Sequence, residues 1–497
     1  MRIKIQTILV LVLLLLILVV KSYFVTQSVM PSYESFYGIR QVEQIRSTGM
    51  PLLSDDLSYQ GRVNVMGGLF YYLVAIFSFF IPLLLLFKYA GVVLSVFALW
   101  LIYLIAKKLF LNKWIALFVT FLGALTPIIF MHSLNTFTPL SFFIICYLGL
   151  LYLFLSLKHQ QNILFFVILL VISTLISSLV LVLIIGFLFY LLLLKLEHLT
   201  PRKKEIEVLS FAAIFVLWYH LLIYKKLFFL YGTHAIWQNI PPALLLSTFQ
   251  KVTMPVALSF IGLLPLVLGL YGIYLALFQE RRRWLVLLVS QTFAFAILIW
   301  LGFFQLQNGL FFITINLVLL SGYAIKQTIK TLNKTIVPFL KPSLAILFVL
   351  IALASFIPLV LFQGTILTDS PSAEEVQTLV RLENIIPLDA TILSDVDEGH
   401  MLSAITKRKN FFDTNFVLAP RVEQRYLDAK TIFLSKSTIT RLSLLNYYNI
   451  QYLFVSPHTL QTYNAVEFPF MNEPNCFKPI LSTTTTKVYE VTCKLEN

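Results

Sequence analysis

Long runs of apolar residues are the feature that most limits what this chain can fold into. ILVLVLLLLILVV begins at Ile8, and LVLVLIIGFLFYLLLL begins at Leu179. A helix rises about 1.5 Å per residue, so roughly 20 residues of this kind cross the hydrocarbon core of a bilayer. Hydrophobic residues make up 59% of the chain and charged residues only 12%, unlike soluble domains. The sequence therefore predicts a polytopic membrane protein whose spans are helices.

The basic residues carry information about topology. The formal net charge is +14, but Lys and Arg are dispersed between the apolar segments, which argues against a nucleic-acid surface. Arg2 and Lys4 precede the first apolar run, as they would in a signal peptide. Because SYFVTQSVM offers no clear small-x-small cleavage site, we predict a retained first helix.

The apolar segments predict about eleven transmembrane helices. A further apolar segment, residues 67–81, is short and begins with two glycines. The predicted spans are 6–22, 84–106, 114–131, 138–157, 162–175, 178–194, 206–223, 253–278, 284–303, 308–325 and 339–363.

The segment 67–81 decides the orientation of everything after it. If it does not cross and the N-terminus is cytoplasmic, nearly every short basic loop faces the cytoplasm, as the positive-inside rule requires. We therefore predict a re-entrant or interfacial helix there. The basic residues of the cytoplasmic loops are then Lys107, Lys108, Lys113, Lys158, Lys195, Arg202, Lys203, Lys204, Arg281, Arg282, Arg283, Lys326, Lys330 and Lys334.

Three regions remain for the opposite, non-cytoplasmic face: residues 21–66, residues 224–251 and the chain from Gly364 onward. The last region is polar. In it, SAEEVQTLVRLEN predicts a helix with Ser372 as N-cap and Glu375 as its capping-box partner, and ATIL, IQYLFVS and KVYEVT predict strands. The expected architecture is an all-α membrane domain over 1–363 and a small external α/β domain over 364–497. The chain is expected in the plasma membrane.

The three cysteines allow two readings. Cys476 and Cys493 could form a disulfide on an oxidising face, or they could be two unpaired thiols, because sequence does not show whether they meet. Cys146 lies within a predicted span, where packing is the expected role.

Acidic residues are scarce enough to limit where chemistry occurs. Before Gly364 there are eight; the four near cytoplasmic loops are Glu197, Glu205, Glu207 and Glu280. The other four, all in the first external loop, are Glu34, Glu43, Asp55 and Asp56. Carboxylates that catalyse proton transfer or bind a cation at the external face must come from these four or from the C-terminal domain.

Residues Glu34 to Thr48 can form an amphipathic helix that ends at Gly49. Its apolar face contains Phe36, Ile39, Val42 and Ile45, so we expect it to lie along the membrane surface and to hold Glu34 near the interface. Alternatively, Glu34 is an acid that favours a helix N-terminus. Asp55 and Asp56 are either catalytic partners or residues that begin a turn.

The first loop and the segment after it contain a recognisable series of residues: Glu34, Gly49, Pro51, Asp56, Ser58, Tyr59, Gly61, Arg62, Leu69, Phe70, Tyr71 and Tyr72. This series resembles the first external loop of the GT-C glycosyltransferases, multi-span enzymes that use polyprenyl-phosphate-linked sugars. In that superfamily the segment corresponding to 67–81 is often juxtamembrane. Related enzymes often carry a metal-binding acid in the next external turn, where this chain has Asn135.

A second resemblance is to the region of the Trp-Trp-Asp-Tyr-Gly motif in the catalytic subunit of archaeal-type oligosaccharyltransferases. Asp397 and Gly399 match the motif. Asp395 and Val396 replace its tryptophans, and Glu398 replaces its tyrosine. The motif reads the acceptor sequon in that family, so these replacements argue against peptide recognition of that kind. The downstream residues that resemble the family's continuation are Arg408, Asn410, Asp413 and Asn415.

The resemblance implies a membrane glycosyltransferase that transfers a sugar from a polyprenyl-phosphate donor, such as a dolichyl phosphate, to a protein, glycan or lipid. The anomeric configuration of the sugar is expected to invert in the transfer. Glu34 is the expected base, with Asp55 and Asp56 as further catalytic candidates. Apart from the resemblance, Asp395, Asp397, Glu398 and His400 could form an oxygen-rich cluster if their loop folds over the membrane face, with Asp395 and Asp397 as candidate ligands for Mg²⁺ or Mn²⁺. Alternatively, this run is a solvated loop. Phosphate contacts are expected from Arg62, Lys225, Lys226 and Lys251, and other substrate contacts from Tyr59, Asn135, His234, Trp237, Asp397 and His400.

Two other classes compete with an enzyme. A transporter usually shows ionisable groups near the bilayer midplane or repeated halves, and neither is evident here. A GT-C-like scaffold without catalysis fits the replaced tryptophans and Asn135. The expected partners are the lipid-linked donor, membrane lipid and an acceptor protein or glycan, and no nucleic acid.

Overall fold

The computed structural model describes residues 5–65, 67–232, 242, 244, 254–279, 282–303, 306–334, 339–357 and 369–495. Helices dominate up to residue 354, and strands gather near the C-terminus. The helices of the first part are α1 Ile5–Thr26, α2 Ser35–Thr48, α3 Leu69–Phe77, α4 Leu83–Phe110, α5 Lys113–Leu125, α6 Pro127–Met131, α7 Pro139–Phe154, α8 Gln160–Ile176, α9 Val180–Leu196, α10 Lys203–Ile223, α11 Lys225–Tyr231, α12 Met254–Ile261, α13 Leu263–Phe278, α14 Arg283–Trp300, α15 Leu306–Leu332 and α16 Leu340–Ala354.

Within the described residues, each predicted span coincides with a helix or a broken pair of helices, but helix length does not establish eleven crossings. Residues 253 and 358–363, which belong to two predicted spans, lie outside the described residues. Among the described residues, five helices are long and apolar enough to cross a membrane: α1, α4, α10, α14 and α15. The pair α12 and α13, bent by 83°, raises that number to six if it forms one span. The other apolar helices are shorter, at 10–17 residues.

The segment 67–81 contains only the short helix α3, which has 9 residues. At about 1.5 Å per residue it is too short to cross a hydrocarbon core of ~30 Å. A turn and Pro82 separate it from α4. The segment therefore has the length expected of a juxtamembrane or re-entrant element.

Two sets of contacts show which segments lie together. Arg283 Nη1 lies 3.9 Å from Glu205 Oε1, so the starts of α14 and α10 share a side. Asn135 donates to Met30 O (2.7 Å) and to Ser370 Oγ (2.5 Å). The first loop, the turn before α7 and the start of the C-terminal domain therefore meet on one side.

Small residues and aromatic rings pack the helices of the membrane domain together. At Gly272 in α13, an added Cβ would lie 2.5 Å from the carbonyl oxygen of Leu320 in α15, so the two backbones approach closely, as is common between membrane helices. Phe295 stacks on Phe312 with centroids 4.6 Å apart. Such packing fixes the frame that carries the external loops.

The C-terminal domain is a small α/β unit, as predicted. A two-stranded ribbon, β1 Ser54–Asp55 with β2 Arg62–Val63, lies in the first loop of the membrane domain. The elements of the C-terminal domain are α17 Ala373–Glu383, β3 Thr391–Leu393, α18 Gly399–Thr406, β4 Lys409–Asn410, α19 Val422–Leu434, α20 Thr438–Tyr447, β5 Tyr452–Val455, α21 Pro457–Thr462, a 3-10 helix Pro469–Asn472, β6 Phe477–Ser482 and β7 Lys487–Val491. The five-stranded sheet has the order β4-β3-β5-β7-β6; β3 pairs in parallel with β4 and β5, while β7 pairs antiparallel with β5 and β6.

Two details of this domain bear on the sequence predictions. Ser372 and Glu375 form the predicted capping box at the start of α17. Cys476 and Cys493, for which the sequence left two readings, form a disulfide with their Cα atoms 4.7 Å apart. The disulfide joins the start of β6 to the residues after β7.

Helix α2 forms over nearly the predicted residues, and Gly49 ends it in the left-handed conformation at φ 76°. Its apolar face does not meet lipid. Phe36 and Val42 are buried in one cluster with Leu379 and Leu402 of the C-terminal domain. Burial against protein replaces the expected membrane surface, because the domain offers a complementary apolar face, and α2 thereby carries Glu34 to the junction of the two domains.

Candidate functional site

Glu34 occupies the N-cap position of α2, but its side chain makes no capping hydrogen bond. The carboxylate is accessible to solvent and closely surrounded by protein. Desolvation by these surroundings, followed by the negative charges of Asp397 and Asp369, raises the pKa of Glu34 to about 7. A carboxylate of this kind exchanges protons near neutral pH, as a general base must.

The two loops that follow β3 and β5 form an acidic cluster with one histidine. Because β3 and β5 are parallel neighbours, with Leu393 opposite Leu453, the loops after them lie at the same edge of the sheet. Asp395 and Asp397 follow β3, and His458 follows β5. The imidazole Nε2 lies 3.4 Å from Asp395 Oδ2 and 3.3 Å from Asp397 Oδ2.

Tyr33 connects this cluster to Glu34. Its ring lies 4.9 Å from the His458 ring, and its hydroxyl donates to Glu375 Oε2 at 3.0 Å. The Tyr33 backbone N–H donates to the carbonyl of Asp369 at 3.2 Å. The residue immediately before Glu34 is therefore fixed on three sides by the C-terminal domain.

Several carboxylates lie close together in this cluster, and their burial and mutual repulsion shift the pKa values of its members. Burial raises the pKa of Asp369 to about 6, with a further increase from Asp397. Burial alone would lower the pKa of His458, but hydrogen bonds to Asp395 and Asp397 and the charge of Glu398 outweigh it and raise the pKa to about 11. Without another cation, His458 is therefore the protonated partner of these acids.

Glu398, which replaces the tyrosine of the family motif, organises the loop from inside. It is fully buried and accepts hydrogen bonds from Thr459 Oγ1 (2.9 Å), the Asp395 N–H (3.1 Å) and the Ser456 hydroxyl. Burial raises its pKa to about 8, although the positive charge of His458 opposes the shift. Glu398 thus ties the loop after β3 to the start of α21.

Asp55 and Asp56 have different surroundings from Glu34. Asp55 is buried, lies 2.5 Å from Arg40 Nη2, and accepts backbone hydrogen bonds from Leu57 (3.1 Å) and Ser58 (3.2 Å). It therefore has the contacts of a residue that begins a turn. Asp56 is exposed on the same turn.

The two parts of the sequence that resemble the family, in the first loop and in the C-terminal domain, are joined by hydrogen bonds. Tyr59, at φ 53°, donates its hydroxyl to Asp413 O at 2.7 Å and its backbone N–H to Asn410 Oδ1 at 2.9 Å. Ser58 donates to Asp413 Oδ2 at 2.6 Å. Arg62 is buried and donates to the carbonyl of Asn415 and to Asn64 Oδ1. These hydrogen bonds attach the first loop to the C-terminal domain.

The other predicted contact residues divide into three groups. Asn135 and His400 are buried: the amide nitrogen of Asn135 joins two loops to the C-terminal domain, and His400 Nε2 lies 3.4 Å from Asp413 Oδ1. Lys225 and Lys226 are exposed at the start of α11. His234, Trp237 and Lys251 lie outside the described residues.

Sequence reasoning did not select Tyr33, Asp369 or His458. A signal was present for His458, since IQYLFVS was predicted as a strand and His458 follows it closely, as Asp395 follows ATIL. Polar residues after two neighbouring strands indicate a shared site. Nothing in the sequence shows that these two strands are neighbours.

Two cavities lie apart from this cluster. The smaller one is inside the membrane domain beside Ser95, His132 and Ser133. The larger, of about 510 Å³, lies between α11 and α19 and is lined by residues that include Tyr231 and Arg421. Neither lining includes Glu34 or the acids of the cluster.

Comparison of the whole structure with solved structures finds membrane glycosyltransferases. The oligosaccharyltransferase AglB from Archaeoglobus fulgidus, in complex with an inhibitory peptide and a dolichol-phosphate, has a TM-score of 0.65 at 14% identity and covers 96% of this chain and 74% of its own. The same organism's enzyme with Zn and sulfate has a TM-score of 0.60 at 15% identity, covering 95% and 72%. This chain has the GT-C glycosyltransferase fold.

A second enzyme type shares this fold. ArnT from Cupriavidus metallidurans, bound to undecaprenyl phosphate, has a TM-score of 0.53 at 11% identity and covers 97% of both chains. No protein-family model matches the chain, and no curated protein matches it. The predicted resemblance is thus confirmed as a fold, at identities that leave substrates open.

Proposed function

We propose that this protein is a membrane glycosyltransferase that transfers a sugar or glycan from a polyprenyl-phosphate-linked donor to an acceptor on the non-cytoplasmic face. The observation that carries the proposal is Glu34, an accessible carboxylate with a pKa raised to about 7 at the junction of the two domains of a GT-C fold. The similar structures support the donor class, because one contains dolichol-phosphate and another undecaprenyl phosphate.

In the proposed reaction, an acceptor hydroxyl attacks the anomeric carbon of the sugar from the side opposite the lipid phosphate. The new C–O bond forms as the bond to the phosphate oxygen breaks, so the configuration inverts and the lipid phosphate departs with the electron pair. Glu34 accepts the hydroxyl proton. An acceptor amide would instead be polarised by the same carboxylate.

The departing phosphate needs positive charge nearby. Arg62 is unsuited to this task because its guanidinium is buried and already donates to Asn415 and Asn64. Lys225 and Lys226 are exposed at the start of α11, and among the described residues they remain the candidates that we propose for the phosphate contact. A divalent cation held by the acidic cluster would, when bound, supply further positive charge.

The charge pattern of the loops supports one orientation of the protein in the membrane. The basic loops, two of which are joined by the contact between Arg283 and Glu205, are proposed to face the cytoplasm. Glu34 and the C-terminal domain are then extracytoplasmic. We propose the plasma membrane as the location.

The test replaces Glu34 with Gln and uses Glu43→Gln as the matched control. Glu43 lies on the same helix, and its exposed ion pair with Lys407 (3.0 Å) contributes little to stability. Purified variants in vesicles receive radiolabelled polyprenyl phosphosugars, and labelled products are counted. We expect Glu34→Gln to lose about 100-fold or more of the transfer rate with an unchanged melting temperature, and Glu43→Gln to keep its rate.

Two results would contradict the proposal. Transfer by Glu34→Gln at the wild-type rate would remove this carboxylate from the mechanism. Failure of the wild-type protein to turn over any donor, with or without divalent cations, would favour a non-catalytic scaffold with the same fold.

A further inference from the structure

We propose that Asp395, Asp397 and His458 bind one divalent transition-metal cation, Mn²⁺ or Zn²⁺, and that this cation fixes Tyr33 and hence the position of Glu34. One ligand atom from each of the three residues lies within 4.8 Å of the others. The two aspartates lie in the loop after β3 and His458 lies in α21, at one edge of the C-terminal sheet, so the site belongs to this domain and not to the membrane helices.

The distances are long for charge-assisted hydrogen bonds and match those between two ligands of one cation. His458 Nε2 lies 3.4 Å and 3.3 Å from the two carboxylate oxygens, whereas charge-assisted N–H···O bonds are usually about 2.7–2.9 Å long. Two ligand atoms that share a tetrahedral cation at bonds of about 2.1 Å lie about 3.4 Å apart. His458 Nε2 therefore already has, from each carboxylate oxygen, the spacing of two ligands of one cation.

The Asp395 carboxylate is incompletely satisfied by protein. The residue is fully buried, and its Oδ1 has no hydrogen-bond partner in the described part of the chain. Burying a carboxylate costs free energy unless charge and hydrogen bonds compensate it. Asp397 also interacts with Glu34 and Asp369, so negative charge is concentrated here, and a cation relieves the repulsion.

The type of ligand selects the type of cation. Carboxylates suit Mg²⁺, Ca²⁺ and Mn²⁺, whereas an imidazole suits Zn²⁺, so two carboxylates with one imidazole fit Mn²⁺ or Zn²⁺. Three protein ligands leave at least one coordination position free, as in catalytic metal sites. The side chains of Asp397 and His458 are 49% and 15% exposed, so that position is open to solvent.

The path from the cation to Glu34 runs through one contact. The Tyr33 ring packs on the His458 ring at 4.9 Å, and Tyr33 directly precedes Glu34. A cation that restrains the imidazole therefore restrains Tyr33 and the first residues of α2. The binding itself is independent of enzymatic activity, but its effect on transfer rests on the proposed function.

Binding is tested on the full-length protein in detergent, stripped with a chelator and titrated with Mn²⁺ while paramagnetic resonance measures free Mn²⁺. We expect one bound Mn²⁺ that Zn²⁺ displaces. Asp395→Asn and the half-exposed Asp397→Asn should each weaken binding about 10-fold or more. Asp389→Asn is the matched control, because Asp389 is an exposed acid of the same domain, and should bind as the wild type does.

Positioning is tested by hydrogen exchange of residues 30–37. Mn²⁺ should slow exchange there in the wild type and leave Asp397→Asn unchanged. The proposal is overturned if the wild type binds no Mn²⁺ or Zn²⁺, or if both Asp variants bind normally, in which case the cluster is an ion pair only. Glu34→Gln should bind Mn²⁺ normally. If the wild type binds Mn²⁺ but transfers sugar from no donor, the proposed function is refuted and this site stands.

Discussion

Replacing Arg40 with Met tests whether Asp55 holds the first loop in place or takes part in chemistry. Both side chains are buried, and Arg40 Nη2 lies 2.5 Å from Asp55 Oδ1. Removing one partner of a buried ion pair costs about 3–5 kcal/mol, because the other charge remains buried without compensation. Asp55 would still accept the backbone N–H groups of Leu57 and Ser58, so we expect the lower end of that range, about 3 kcal/mol.

Hydrogen exchange measured by mass spectrometry reports this loss where it occurs. A local opening free energy reduced by about 3 kcal/mol speeds exchange by roughly 100-fold, and residues 52–64 should show it. The variant Arg40→Met/Asp55→Asn should exchange more slowly than Arg40→Met alone, because it leaves no unpaired charge. Unchanged exchange in Arg40→Met would refute this reasoning. Loss of transfer in Asp55→Asn with normal exchange would instead make Asp55 catalytic.

Two further predictions concern the C-terminal domain. Burial lowers the pKa of His400 to about 4, so on acidification the imidazole is protonated in the unfolded state before it is protonated in the folded state. The folded state therefore keeps its full stability above about pH 6.5 and loses about 3 kcal/mol in total as the pH falls toward 4. Melting curves at pH 7.5 and 5 should therefore differ more in the wild type than in His400→Gln. The Cys476–Cys493 disulfide closes a separation of 17 residues, and the Cys476→Ser/Cys493→Ser variant should lose about 3 kcal/mol of domain stability, measured by denaturant unfolding; equal midpoints would contradict this.

Local patterns predicted local structure well in this chain. The capping box at Ser372 and the end of α2 at Gly49 depend on residues within one helical turn of each other, so the sequence contains the whole cause. The charges of the loops predict that the segment 67–81 does not cross the membrane, because the distribution of Lys and Arg depends on the orientation of the spans in the bilayer and not on tertiary contacts. The strand signals likewise identified β5 and β7 to within a few residues.

Pairing between distant residues could not be predicted in the same way. The apolar face of α2 is compatible with lipid or with protein, because both remove it from water. Only the fold shows that this face is buried in one cluster that includes Phe70, Phe87, Leu379 and Leu402. Similarly, His458 becomes a neighbour of Asp395 only because β3 and β5 are adjacent in the sheet, and strand order is a long-range property.

The family-like residues divide by whether their polar groups are already satisfied. Tyr59 and Arg62 match the family pattern and are buried with protein partners, so their chemistry is used to attach the first loop to the C-terminal domain. Glu34 matches too, but it makes no capping bond and stays accessible. Asp397 matches and is half-exposed beside it. A motif match thus identifies both the residues that build a site and those that act in it. The two kinds differ in whether their polar atoms already have protein partners, and the exposed carboxylates at the domain junction are the ones available to a substrate or a cation.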